Sequence, residues 1–161
     1  MPSTSDIQLR TATLEDLPAI CKFVDFWLSG RGKRVNAPGA VDDYFVSPSQ
    51  HKKYIKKYQV WLLFELHELI AWSVVQHGDS MIHFLIAGTH RGKGIGSTLL
   101  KMLTPTTIRS KSNQSSGDPG PFYEKHGYRK VESIQSKSRT DIDKLRPDRR
   151  KIIDIYQKPQ Q

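Results

Sequence analysis

Between Gln59 and Gly88 the chain carries three apolar runs, "QVWLLFEL", "LIAWSVVQ" and "MIHFLIAG", whose apolar residues occupy both parities. A strand with one wet face alternates apolar and polar positions, whereas one covered on both faces does not. The pattern therefore predicts three neighbouring strands inside a sheet. The polar His67 and Glu68 separate the first two as a hairpin, and "HGDS" turns into the third. Upstream, "IQLRTAT" reads as a first strand, and Leu17, Ile20, Cys21, Val24, Trp27 and Leu28 recur at helical spacing. Thr13 is placed to cap that helix, Asp16 to favour its positive end, Pro18 to occupy its first turn and Gly30 to end it.

"RGKRVNAPGAVDDYFVSPSQ" is an irregular connection, and "SPSQHKKYIKKY" a short basic helix. Ile95, Leu99, Met102 and Leu103 share one face of a helix that Pro105 terminates. "TTIRSKS", "RKVESIQ" and "KIIDIYQK" are the remaining strands, with the loop "NQSSGDPGP" and the short helical segment "FYEKHGY" between the first two. "SKSRTDIDKLRPDRR" is polar and too long for a tight hairpin, so it reads as a flap or a solvated excursion. No internal repeat is visible. Paired strands followed by strands interleaved with helices predict an α/β domain in two or three layers around a mixed sheet.

Length changes the picture only by fixing the count: 161 residues fit one domain, 1–161. No apolar run approaches the roughly 20 residues of a membrane span. The N-terminal "MPSTSDIQLR" lacks the pattern of a secretory signal, and the single cysteine, Cys21, has no intrachain partner, so a reducing cytoplasm is the expected location. A formal charge of +9 draws anions: phosphorylated cofactors, nucleic acid or acidic surfaces.

The candidate chemistry follows the third apolar run. "RGKGIG", residues 91–96, places Gly92, Gly94 and Gly96 where a strand gives way to a helix. First-turn amides have no partner within the helix, the helix dipole adds positive potential, and Arg91 and Lys93 add mobile charge, a combination suited to a pyrophosphate. Two familiar phosphate loops do not match. Only three residues separate Gly88 from Gly92, and Gly94 stands where the triphosphate loop needs a hydroxyl; the dinucleotide fingerprint needs G-x-G-x-x-G and a later acidic residue. The plain structural alternative is that the glycines merely turn the chain.

Arg91, Gly94 and Gly96 complete the Arg/Gln-x-x-Gly-x-Gly/Ala signature, and "FYEKHGY" at 122–128 resembles a second element, of the GNAT superfamily of acyl-CoA-dependent N-acyltransferases. The order of segments from Ile7 to Tyr156, including "TLEDLPAI", is similar too. The resemblance implies the GNAT fold: α/β, a mixed, mostly antiparallel central sheet of six to seven strands, helices on both faces, and fourth and fifth strands splayed. It implies acetyl-CoA as cosubstrate, with no metal, and acetyl transfer to an amine by direct attack in a ternary complex. The pyrophosphate would lie over the amides of Arg91, Gly92, Lys93, Gly94, Ile95, Gly96 and Ser97, and the pantetheine along the strand through Ile86 and Ala87, with Asn113 as a further contact. By position Ile86 would bind the thioester carbonyl; one such donor contributes about 2.7 to 4 kcal/mol where its removal has been measured. "AGTH" departs from the family by lacking the proline often found before the signature arginine.

An attacking amine must be neutral, while the lysine reference pKa is about 10.4. His83 is a candidate base acting through a water; it also reads as a hydrogen-bonded sheet histidine, and Asp79 and Glu65 are rival carboxylates. Tyr123 takes the family's role of acid to the CoA thiolate, although Phe122, Tyr123 and Tyr128 also read as aromatic packing. The acceptor is an amine, small or on a lysine or protein N-terminus. Basic runs at 31–34, 51–57 and 146–151 favour an anionic one, or else simply form a solvated surface. The rival classes are a noncatalytic module gripping phosphates or nucleic acid, an acyltransferase acting on a nucleic-acid-linked amine, and a relative that binds acyl-CoA without transfer. Nucleic acid is not favoured, because the basic runs lack interleaved aromatics. Self-association as a homodimer through "KIIDIYQK" is a further expectation drawn from the family.

Overall fold

The computed structural model describes residues 6–30, 46–111, 120–135 and 152–159. Seven strands form one sheet: β1 (Ile7–Thr11), β2 (Gln59–Glu65), β3 (Glu68–Gln76), β4 (Ser80–Ile86), β5 (Thr107–Lys111), β6 (Arg129–Gln135) and β7 (Ile152–Gln157), ordered β1-β2-β3-β4-β5-β7-β6. The β1–β2, β2–β3, β5–β7 and β6–β7 registers are antiparallel. The β4–β5 ladder is parallel and comprises Ser80↔Thr107 and Met81↔Ile108, while both strands run on past those pairs. The fold is therefore the expected mixed α/β sheet, with its fourth and fifth strands paired in parallel. Four α-helices accompany it: α1 (Leu17–Val24), α2 (Pro48–Lys57), α3 (Ile95–Leu103) and α4 (Gly120–Lys125).

Two compact units divide the chain, one comprising Met1–His77 with His83–Thr104, the other Gly78–Ile82 with Pro105–Gln161. In the first, β4 serves two layers by alternation, since successive side chains of a strand point to opposite faces. Phe84 and Ile86 pack with Leu63, Ile70, Ala71 and the α3 residues Ile95 and Leu99. His83 instead reaches Tyr54 of α2. Helices thus cover both faces, which explains the unbroken apolar runs. In the second unit β7 sits between β5 and β6 with both edges paired, so strand-edge association through β7 is closed and the outer edge there belongs to β6.

Local chemistry alters three expected details. The helix expected over 13–30 is a 3-10 turn (Leu14–Asp16), then α1, then a wider π turn over Asp25–Gly30. Its entrance is secured by Asp16 rather than by the Thr13 hydroxyl: the Thr13 N–H donates to Asp16 Oδ2 at 2.8 Å, and Arg10 holds both carboxylate oxygens at 2.8 Å. The Arg10 hydrogen bonds hold the Asp16 carboxyl at about 2. In the β2–β3 hairpin the turn residues are Leu66 and His67, with Glu68 already in the strand, and Ile70 is an extra residue opposite Leu63 and Phe64.

Leu66 and His67 stand at φ 47° and 71°, the left-handed region in which side chains cost about 1–2 kcal/mol per residue. Two-residue hairpin turns of this kind favour Asn-Gly. The variant Leu66→Asn with His67→Gly should gain about 1–2 kcal/mol of stability, read as a higher urea midpoint with an unchanged slope.

Candidate active site

The glycine segment lies at the end of β4. Ala87 donates its N–H to Ile70 O on β3 at 2.8 Å, and a short 3-10 turn over Gly88–His90 follows. Adjacent residues of a strand direct their main-chain groups to opposite sides, so those of Ile86 point away from β3. The Arg91 Nε–H donates to Ile86 O at 3.3 Å, tying the first basic residue of the loop to the last residue of the strand. Gly92 and Gly94 adopt φ 77° and 80°, and a Cβ placed on either would meet nothing within 4 Å. They are therefore required by backbone conformation, with open space before them. Gly94 caps α3 without a side chain, and the first helical bond runs from Thr98 N–H to Gly94 O at 3.0 Å, so the amides of Ile95, Gly96 and Ser97 precede the intrahelical ladder. Gly96 lies inside α3 rather than in the turn. Arg91, Gly92, Lys93 and Gly94 are exposed. These features fit a pyrophosphate: an exposed glycine turn at the positive end of a helix beside two cations.

Gly88, in the stretch before Arg91, has a different reason to be glycine. A Cβ there would lie 2.6 Å from Cζ3 of Trp27, whose indole sits over the turn from the π segment. The same turn is held from its other end by His90, whose Nε2 lies 2.9 Å from Glu65 Oε1 and whose Nδ1 lies 2.8 Å from Thr89 Oγ1. The sequence reading considered Glu65 only as a base and overlooked His90. No spacing rule connects residues 25 apart, and their meeting depends on the β2–β3 hairpin.

His83 is 9 % exposed. Its ring stacks on Trp72 at 4.9 Å, its Nε2 lies 3.2 Å from the Tyr54 hydroxyl, and its carbonyl accepts from Ser73 Oγ at 2.7 Å. The sequence reading missed Tyr54 because the basic run around it suggested a solvated helix. Trp72 also meets His51 edge to face at 5.5 Å. His51 Nε2 and Trp72 Nε1 are both buried without a hydrogen-bond partner, and burial pushes the His51 imidazole down to about 4 despite the opposing charge of Asp25. Of the rival carboxylates, Asp79 lies in the β3–β4 turn at φ 57°, where its carbonyl accepts from Thr106 and Thr107.

In the second unit Tyr123 of α4 is 4 % exposed and packs on Phe122 and Tyr156. Burial, then its neighbours Tyr156 and Tyr128, raises its pKa, so the phenol remains protonated. The Tyr128 hydroxyl donates to the carbonyl of Pro105, a tie that accounts for Tyr128 structurally. Asn113 lies outside the described residues, as do the segments 31–45 and 136–151. Among the described residues no cluster of His, Cys, Asp or Glu is placed to hold a metal, and no helix is long and apolar enough to cross a membrane.

A mixed sheet whose fourth strand runs through a glycine loop into a helix and pairs in parallel with the fifth is the α/β setting of this site. The sequence matches the family model described as "Acetyltransferase (GNAT) domain" over residues 35–141. The chain belongs to the GNAT acetyltransferase family and is an acyltransferase. Solved structures agree in fold. The ribosomal-protein-S18-alanine N-acetyltransferase from Escherichia coli is 14% identical with a TM-score of 0.66, covering 95% of this chain and 93% of that one. Naa50 from Arabidopsis thaliana, in complex with the bisubstrate analogue CoA-Ac-MVNAL, is 13% identical with a TM-score of 0.64, covering 96% and 99%. The PaiA N-acetyltransferase from Thermoplasma acidophilum, in complex with coenzyme A, is 15% identical with a TM-score of 0.62, covering 95% and 99%. No curated protein sequence matches the chain.

Two consequences are measurable. Gly88→Ala should lose about 1–3 kcal/mol of stability through overpacking against Trp27, and the loss should shrink when Trp27→Phe is added; equal losses in both backgrounds would place the strain elsewhere. For His51 the folded value of about 4 lies below the ordinary 6.5, so between these values the unfolded chain binds the extra proton. The stabilising contribution is complete above pH 6.5 and falls by about 3 kcal/mol as pH drops toward 4. Urea midpoints across that window should flatten in His51→Gln relative to the parent.

Proposed function

We propose that the protein transfers an acetyl group from acetyl-CoA to a primary amine by direct attack in a ternary complex, with residues 1–161 acting as one catalytic domain. The observation that carries this reading is the loop of Gly92 and Gly94, whose left-handed, exposed backbone leads into the N-terminus of α3 beside Arg91 and Lys93. In this reading Arg91, Gly92, Lys93, Gly94, Ile95, Gly96 and Ser97 hold the pyrophosphate. Ile86 offers its main chain to the thioester carbonyl, where a donor aimed at developing charge lowers the barrier. Ala87 has committed its amide to Ile70, so its part is to end the strand in register. Asn113 remains assigned to the pantetheine.

His83 takes the proton from the attacking amine, and Tyr123 gives one to the departing CoA thiolate. Burial keeps this phenol protonated, so a proton is present to give, while the same upward shift makes it a weaker acid than a free phenol. The acceptor is a small-molecule amine or a lysine or N-terminal amine, with a preference for one carrying negative charge. Lys52, Lys53, Lys56 and Lys57 support this preference, for they are exposed on α2, which has no acidic residue. The single cysteine suits action in a reducing cytoplasm.

The deciding experiment is thiol release from acetyl-CoA across amines, amino acids, polyamines, basic and acidic peptides and nucleic acids, alongside calorimetry with CoA. Saturable CoA binding and release with one amine class are expected. Absence of CoA binding would overturn the reading and leave the phosphate-gripping alternative, whose affinity for nucleic acid would collapse as salt rises. Tyr123→Phe should lower kcat by about a hundredfold or more, with CoA affinity unchanged; a parental kcat would remove its role as acid.

A further inference from the structure

We infer that Tyr54 is the proton relay of this reaction, passing the proton of the acceptor amine to His83. The inference rests on the transfer reading above and replaces the water expected between base and substrate with a side chain. Tyr54 Oη lies 3.2 Å from His83 Nε2, with the rings 5.5 Å apart and tilted by 55°. His83 is held on three sides: its ring by the stack on Trp72, its carbonyl by Ser73 and its Nε2 by the phenol. Trp72 is braced in turn by His51. The imidazole is therefore fixed with Nε2 toward the hydroxyl. Of the two partners Tyr54 is the more exposed, lying half-buried on α2 while His83 is buried on β4.

Neither group alone is well suited to the task. A neutral phenol is a weak base, and a buried imidazole reaches substrate poorly; joined by a hydrogen bond they divide the work between access and basicity. As the amine nitrogen bonds to the thioester carbon, its N–H proton moves to Tyr54 Oη while the Oη–H proton moves to His83 Nε2. The C–S bond then breaks, and the thiolate takes its proton from Tyr123. Products are the acetamide and free CoA thiol, with imidazolium and phenolate left to exchange one proton through solvent. The titratable neighbours of the pair are His51 and Tyr58 on α2, His77 packed edge to face on Tyr58, and Asp25, whose charge acts on His51.

The alternative is a purely structural tie between α2 and β4, and Tyr54→Phe separates the two because it keeps the ring and deletes the hydroxyl. With acetyl-CoA and an amine that supports thiol release, Tyr54→Phe should lower kcat by about a hundredfold, with the KM for acetyl-CoA and the melting temperature held. His83→Gln should cost a similar factor, and the double variant should be no slower than the slower single one. The acidic limb of the kcat–pH profile should flatten in Tyr54→Phe. Fluorotyrosine at position 54, which keeps fold and hydroxyl together, should shift that profile without abolishing turnover. A parental kcat in Tyr54→Phe, losses that multiply in the double variant, or an unaltered acidic limb would each overturn the relay. Failure of the parent protein to release thiol with any amine would overturn the transfer reading as well, so the two failures are distinguishable.

Discussion

The two-residue repeat of β4 is the constraint on which the rest of the first unit depends. Its even positions, Phe84 and Ile86, seat α3 and so set where the glycine loop begins. Its odd position His83 faces α2. The main chain alternates in the same way, with Ala87 spent on β3 and Ile86 directed to the other side. A slip of one residue would exchange the two faces, placing an imidazole under α3 and Phe84 against Tyr54. Hydrophobic packing at both faces fixes the register strongly, and the placement of polar groups follows from that register rather than from any interaction of their own.

Much of this was legible because the underlying rules are local. Among the described residues the seven strands and four α-helices lie where the sequence places them, save that the short helix expected over 122–128 is α4 (Gly120–Lys125), opened by a glycine and a proline expected in the loop; Gly92 and Gly94 carry the conformational requirement of the 91–96 segment. Other features depend on tertiary contacts that no local rule encodes. The π turn over Asp25–Gly30 continues the helical pattern of α1, and its widening is visible only where Trp27 turns onto Gly88. Glu65 and His90 meet through a hairpin whose bulge at Ile70 adjusts the approach. Tyr54 was hidden by four lysines. A basic helix reads as solvated all round, yet α2 sets Tyr54 half-buried within reach of His83, where the charge pattern gives no hint of chemistry.

The loop shows how packing and electrostatics share a task. Positive φ at Gly92 and Gly94 turns the exposed segment, with open space where a Cβ would stand. Its fixed points lie just upstream: Trp27 over Gly88, the His90–Glu65 pair, and Arg91 on Ile86 O. An anion site made of amides gains from preorganisation, since donors already aimed need not be ordered when the ligand arrives. The glycines supply the geometry, and the residues before them hold it.

Trp72 separates two histidines that the structure treats in opposite ways. His51 meets its edge, His83 its face. At His51 the buried Nε2 has no partner, so nothing offsets the cost of charging it, and desolvation holds the ring neutral well below its ordinary range. At His83 the corresponding nitrogen already has a hydroxyl within reach. Beside the same indole one imidazole nitrogen has no hydrogen-bond partner among the described residues and the other has one, and the difference is a single phenolic oxygen contributed by α2.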